Sequence, residues 1–345
     1  MNLSQPIFLK ALNKEILDTP PIWYMRQAGR YMPEYQAVRK NYKNFLDMCK
    51  DPDTCCELAL QPINKFNLDV AILFSDILTI PDAMNLNVKF IESQGPVFNN
   101  PIRSPDDILN IQQFDESRLS YVYKAVSNIK SALPKNIPLI GFSGSPWTLA
   151  AYSIEGKSSK DFLVTKNFID HNEKETHLFL KILTEACFKY LKKQVESGID
   201  VIQIFDSWAN LLSEKNYAIY SLNYIEKLVS KLKEDPITSN IPIILFARSP
   251  KCDLDMLALS NIDCLSLFWD VNQMESLKLS GKVSIQGNLD PKILLESDEI
   301  IKKETFKILD TYKNYPGYIF NLGHGITPNI NPEKIKFLTE IIRSR

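Results

Sequence analysis

Short apolar runs recur along the whole chain, and between them lie longer stretches in which apolar residues return every three or four positions. Eight runs read as strands, at 22–25, 70–74, 138–142, 200–205, 242–246, 263–267, 282–286 and 318–321. Each is too short for a helix and is bounded by polar residues, Gly or Pro. Where the runs are apolar at consecutive positions, as at 70–74 and 242–246, they predict a sheet covered on both faces.

The helical stretches mark their own starts. A polar cap followed by Pro stands at Asp51-Pro52, Ser104-Pro105, Ser145-Pro146, Asp290-Pro291 and Asn331-Pro332. Leu222, Ile225, Leu228, Val229 and Leu232 share one helical face, as do Ile335, Leu338 and Ile342, with Lys and Glu on the opposite sides. Strands alternating with helices in this way predict an α/β fold. The specific expectation is a single-domain (β/α)8 TIM barrel over residues 1–345, with an active-site cleft at the C-terminal ends of its strands. An open doubly wound sheet is second, because neither GxGxxG nor GxxxxGK[ST] occurs. The Asn- and Pro-rich stretch 85–110 reads as a long insertion between a strand and its helix, not as a domain boundary.

Composition narrows the function classes. Lys and Arg number 40 against 41 Asp and Glu, a net charge of −1, which excludes a basic field over the whole surface and argues against a nucleic-acid partner. Of 345 residues 45% are hydrophobic, yet no apolar run approaches the ~18 residues of a membrane span, and the N-terminal stretch lacks a signal-peptide block. A cytoplasmic protein without membrane contact is expected. The six cysteines form no CxxC pair, and His171, His177 and His324 all lie far from them in sequence, so no metal site is expected.

Polar groups gather where barrel chemistry would sit. Met25-Arg26-Gln27-Ala28-Gly29-Arg30 follows the first strand, Asp76 the second, Ser143-Gly144-Ser145 the third and Asp206-Ser207-Trp208 the fourth. Arg248 follows the fifth, Gly287-Asn288 the seventh and Gly323-His324-Gly325 the eighth. Arg26 and Arg30, four apart, can aim two planar forks at carboxylate or phosphate, or can serve as surface ion pairs. Asp76 ends an apolar strand, where a carboxylate is paired with a cation, performs chemistry or caps a helix. His324 lies between glycines that let the backbone bend tightly. Neither Ser143 nor Ser145 has the downstream glycine of a nucleophile elbow.

The block PIWYMRQAGRYMPEYQAVR at 21–39 resembles the signature of the uroporphyrinogen decarboxylase family. FSDILTIPDAM (74–84), GFSGSPWTLAAYSIEG (141–156), QGNLDP (286–291) and NLGHGITP (321–328) resemble further blocks of that family in the same order. The resemblance implies a homodimeric barrel that removes four acetate carboxyls from uroporphyrinogen III as carbon dioxide, giving coproporphyrinogen III, without metal or organic cofactor. It implies that Arg26 and Arg30 hold substrate carboxylates with Gln27 beside them. Asp76 would accept hydrogen bonds from the pyrrole N–H groups, with Tyr152, Ser207 and His324 as further contacts. Asp76 and Arg26 are the implied catalytic residues, and the ring proton comes from Arg26, Asp76 or a water. The chain departs from the family pattern at Asn210, at Ala247-Arg248-Ser249-Pro250 and at Phe268.

Two other readings remain. A barrel methyltransferase acting on a corrinoid or a thiol would need a His/Cys ligand set, and only Cys252 and Cys264 lie near strands. A non-catalytic tetrapyrrole carrier would share the arginines but would not require a buried aspartate.

Overall fold

The apolar runs assemble into one parallel sheet. The structure, a computed structural model, describes residues 5–91, 94–258 and 261–345. Residues 1–4 of the stretch read as lacking a signal peptide, and residues 92–93 of the 85–110 insertion, lie outside it. Its strands are β1 (Ala71–Ile72), β2 (Val88–Ile91), β3 (Gly95–Phe98), β4 (Leu139–Gly144), β5 (Val201–Asp206), β6 (Ile243–Ala247), β7 (Cys264–Ser266), β8 (Ser284–Gln286) and β9 (Tyr318–Ile319). Seven of them form a curled parallel sheet in the order β1-β4-β5-β6-β7-β8-β9. Helices occupy the crossovers, among them Glu173–Ser197 before β5, Asn223–Glu234 before β6 and Asp298–Tyr312 before β9.

One expectation is corrected. The run read as a first strand at 22–25 is not a strand; Ile22 forms only an isolated parallel bridge to Phe320. That short stretch nevertheless bonds to both edges of the sheet. Phe320 N–H donates to Pro21 O at 2.9 Å on one side, and Asp69 N–H donates to Ile22 O at 3.0 Å on the other. Asp69 also accepts from Ile22 N–H at 2.7 Å and from Arg343 at 2.6 Å, which pins the junction. Within the 85–110 insertion β2 and β3 pair as an antiparallel hairpin in the register Val88↔Phe98.

Burial on both faces follows the two-residue period of a strand. Val70, Ile140, Val201, Ile244, Cys264 and Ile319 point inward, cluster with Trp23, and are capped at one end by Phe8, Ala11 and Leu12 of the helix Ile7–Leu12. Their neighbours Ile202, Ile204, Ile243, Leu245, Leu265 and Ile285 point outward into the helices. Toward the C-terminal ends of the strands the interior is closed by Met25, Phe246 and Phe268, with Phe205 packed against them. A fully buried aromatic of this kind contributes about 3–5 kcal/mol by its large-to-small replacement cost.

All five cap-and-proline pairs open helical turns, and each cap side chain accepts backbone N–H groups of the first turn. At Asp290 the turn is of 3₁₀ type. The helix Glu173–Ser197 braces β4 with a side-chain amide. Gln194 accepts from Phe142 N–H and donates to Phe142 O, both at 3.0 Å. Gly141 leaves the room for it, since a Cβ there would stand 2.5 Å from Gln194 Oε1.

Candidate active site

The loop after residue 23 is built to hold an arginine in an unusual backbone state. Arg26 has φ of 62°, the left-handed region that costs a residue with a side chain roughly 1 kcal/mol or more. Several bonds hold it there. Gln27 N–H donates to Tyr24 O at 2.9 Å, Tyr31 Oη donates to Gln27 O at 2.7 Å, and Ile326 N–H donates to Met25 O at 3.0 Å. Asn321 Oδ1 accepts from Met25 N–H at 3.0 Å. The Gln27 side chain turns inward, 1% exposed, and bridges Tyr24 N–H to Val70 O. It therefore braces the loop that carries the arginines.

Arg26 is open to solvent on one side and enclosed by protein on the others. Enclosure disfavours its charge and lowers its pKa; Tyr152 and Asp76 nearby oppose that shift, and Arg30 and Arg248 add to it. Its stem lies against Gly325, where a Cβ would come within 2.8 Å of Arg26 Cγ and Nε. Gly323 is empty of side chain for another reason: a Cβ there would meet the Trp269 backbone, 2.5 Å from its Cα. The two glycines around His324 thus serve close packing, and neither has positive φ. Arg30 is exposed, and among the described residues its guanidinium has no carboxylate partner.

Asp76 follows β1 by a short turn. Leu78 N–H donates to its Oδ1 at 2.8 Å, and Thr79 donates to its carbonyl from both N–H and Oγ1. Burial pushes the carboxyl up to about 6, against the Leu78 hydrogen bond and the attraction of Arg26. Tyr152, on the helix Pro146–Glu155, is half-buried with its ring edge-on to Trp208 at 5.5 Å and Phe162 at 6.0 Å. Burial first and Asp76 second raise its pKa, so the hydroxyl keeps its proton and can donate.

His324 completes the group. Gly325 N–H donates to its Nδ1 at 2.7 Å, which leaves the remaining proton of the neutral ring on Nε2. Burial, then Arg26 and Arg248, lower its pKa to about 4, so at pH 7 it is an uncharged donor. Its ring stands edge-on to Phe268 at 5.7 Å and Phe246 at 6.3 Å.

At the end of β5, Asp206 is fully buried and accepts from Ser145 Oγ at 2.8 Å, Thr148 Oγ1 at 2.9 Å and Ser221 Oγ at 2.7 Å. Burial raises its pKa, and hydrogen bonding from Ser221, Ser145, Thr148 and Tyr217 opposes that rise. It anchors the turn that presents half-buried Ser207, whose hydroxyl makes no hydrogen bond among the described residues, and Trp208.

Arg26, Arg30, Asp76, Tyr152 and His324 therefore act on one another across the C-terminal ends of the strands, with Ser207 at the same end of β5. Gln27 supports them from below. The sequence places both Arg248 and Asp206 at this rim without assigning either to the site. Asp206 has a legible signal, a carboxylate closing the mainly apolar strand Val201–Asp206. Its partners Ser145, Thr148 and Ser221 come from distant segments and carried none. Among the described residues no three His, Cys, Asp or Glu side chains come together as a metal-ligand set, and no helix is long and apolar enough to cross a membrane.

The chain matches the family model described as uroporphyrinogen decarboxylase (URO-D) over residues 3–345. It is 46% identical over 338 residues to the uroporphyrinogen decarboxylase of Vesicomyosocius okutanii, covering 98% of this chain and 97% of that one. It is 44% identical over 344 residues to that of Legionella pneumophila (strain Paris), covering 99% and 97%, and 45% identical over 337 residues to that of Alcanivorax borkumensis, covering 97% and 96%. Among solved structures, a methyltransferase from Methanosarcina mazei superposes with a TM-score of 0.78 at 20% identity, covering 99% of each chain. A B12-independent methionine synthase from Shewanella superposes with a TM-score of 0.57 at 14% identity, covering 96% and 97%. At these identities the likeness is one of fold.

Proposed function

The chain belongs to the uroporphyrinogen decarboxylase family, and we propose on that premise that the cluster around Asp76 is where its chemistry takes place. The reaction converts the four acetate side chains of uroporphyrinogen III to methyl groups, giving coproporphyrinogen III and carbon dioxide in haem biosynthesis. The chain is a carboxy-lyase. Each step breaks one C–C bond and consumes one proton: the acetate carboxylate leaves as carbon dioxide, and the methylene it leaves behind becomes a methyl. No electron acceptor enters that balance, so the residues themselves supply what the reaction needs.

The difficulty lies in the electron pair left by the departing carboxyl. Protonating the pyrrole ring carbon first makes the ring a cation that can accept the pair. In this reading the Asp76 carboxylate accepts hydrogen bonds from the pyrrole N–H groups and faces that cation, a preorganised charge in a desolvated place. With its carboxyl at about 6, Asp76 is also the group of the cluster whose proton exchanges nearest neutral pH, whereas Arg26 starts from a far higher value. Arg26 and Arg30 bind carboxylates of the substrate, Tyr152 and Ser207 offer hydroxyls, and neutral His324 donates from Nε2. Gln27 contributes by fixing the arginine loop. The observation that carries the reading is the half-buried Asp76 carboxyl beside Arg26.

The reading extends to a closed (β/α)8 barrel of one domain with a cleft at its mouth, supported by the bonds of residues 21–23 to both sheet edges. A homodimer and a cytoplasmic location follow from the family reading, and sedimentation of the purified protein tests the former. The decisive experiment incubates chelator-treated protein with uroporphyrinogen without oxygen, then oxidises and separates the products by carboxyl number. Stepwise loss of carboxyls supports the reading. Tight binding without turnover would indicate a carrier, and dependence on added zinc would favour a methyltransferase-like site.

A further inference from the structure

A third guanidinium reaches the same cluster. Arg248 follows β6 at the two-residue period of Ile244 and Phe246, both of which point to the interior, so Arg248 projects inward at the strand's C-terminal end. Its guanidinium carbon lies 5.5 Å from the Trp208 ring centre and 5.8 Å from that of Phe268, an arrangement that holds the planar group between two aromatic faces. Asn288 fixes one face by donating from Nδ2 to Phe268 O at 3.1 Å, and Trp147 Nε1 fixes the other by donating to Trp208 O at 3.0 Å.

What Arg248 lacks is an anion. Its backbone N–H donates to Asp206 O at 3.1 Å, but among the described residues its side chain has no carboxylate or carbonyl partner. Asp270, the acid of the neighbouring loop, is engaged by Ser249 Oγ. On the same wall the indole of Trp208 stands beside the Tyr152 hydroxyl. A half-buried guanidinium held between two rings and without an anion is arranged for a planar anion such as carboxylate.

Its position around the sheet matters as much. β6 is the middle strand of the seven, and residues 21–23 bond to both sheet edges, so Arg248 and the Arg26–Arg30 loop come from opposite sides of the curled sheet. The two sides are close enough that Arg248 affects both Arg26 and His324 electrostatically. We propose that Arg248, stacked on Trp208 and Phe268, binds a peripheral carboxylate of the tetrapyrrole on the wall facing Arg26 and Arg30. The macrocycle is then gripped across its diameter with its N–H groups over Asp76. This inference rests on the decarboxylase reading and adds a substrate contact to it.

The test measures KM and kcat for uroporphyrinogen, each as a function of salt, in wild-type protein, Arg248→Gln and Arg248→Lys. A charge-assisted bidentate contact predicts that Arg248→Gln raises KM roughly tenfold or more and flattens its salt dependence, with kcat altered less than about threefold. Arg248→Lys keeps the charge and loses the fork, so its KM rises by about threefold while the salt dependence persists. It also serves where the glutamine variant fails to fold. A folded variant of either kind with the wild-type KM would overturn the carboxylate contact while leaving the decarboxylase reading intact. Wild-type protein without turnover would overturn both.

Discussion

The side chain of Arg26 runs across the α-carbon of Gly325, at a distance that leaves no space for a methyl group. The loop from one end of the chain and the Gly-His-Gly turn from the other are thereby locked into one surface, and the His324 ring is set beside the guanidinium that helps keep it neutral.

Gly325→Ala follows directly. Because the obstacle is a movable side chain and φ at Gly325 is not positive, the fold survives, but Arg26 must shift. If Arg26 holds substrate as proposed, a displacement of about 1 Å costs on the order of 100-fold in kcat/KM, with a melting temperature close to wild type. Gly323→Ala meets the Trp269 backbone instead and lowers the melting temperature. Steady-state kinetics paired with thermal melts separate the two.

Asp76→Asn keeps the shape and removes the charge. Turnover drops by roughly 100-fold or more, as expected when a preorganised charge facing a cationic intermediate is deleted. Stability moves the other way. Since the folded-state pKa is raised from 3.8 to about 6, the carboxylate costs stability above pH 6, so the Asn variant is at least as stable as wild type at pH 8. Near-normal turnover in this variant would remove Asp76 from the chemistry.

The pH dependence carries the same assignment. The acidic limb of kcat/KM is expected near pH 6, where Asp76 takes up a proton, and is absent in Asp76→Asn. His324 makes no contribution there because it stays neutral down to about 4. In stability the two groups oppose each other. His324, with its folded pKa below 6.5, loses stability for the fold as pH falls from 6.5 toward 4, while protonation of Asp76 restores some as pH falls from 6 toward 3.8. An NMR titration in which His324 titrates near 6.5 would refute its placement among the arginines.

Arg30→Ala tests the exposed member of the pair. With no carboxylate partner among the described residues its loss leaves the melting temperature unchanged, whereas a lost charge-assisted contact weakens substrate binding by about 10-fold or more. Unaltered affinity would make it a surface charge.

Asp206→Ala separates support from chemistry. Three hydroxyls lose their acceptor in a fully buried place, a loss of about 3–5 kcal/mol by analogy with breaking a buried charged network. Calorimetry reads it directly, and a loss below about 1 kcal/mol would show that the hydroxyls find other partners.

Much of this was legible along the chain. Strand periods, the cap-and-proline pairs and the placement of Arg26, Arg30, Asp76 and His324 at strand ends depend on neighbours within a few residues, which any sequence displays. The hairpin β2–β3 is less legible, because Val88–Ile91 is a short run of mixed burial within an Asn- and Pro-rich stretch that reads only as a long insertion. Residues 22–25 were misread for a related reason: an apolar run specifies burial, while a strand also needs a continuous ladder, and here the chain leaves the ladder after Trp23 to form the arginine turn.

The sequence by itself determined which residue types stand at the strand ends, because β/α alternation places them there whatever their partners are. Only tertiary structure decided what each became. Gln27 turned inward to brace a loop, the glycines around His324 made room for Arg26 and Trp269, and Arg248 came to rest between rings from two other strand ends. These outcomes depend on close packing between residues up to about 300 positions apart in the chain, and steric exclusion of that range leaves no periodic trace in sequence.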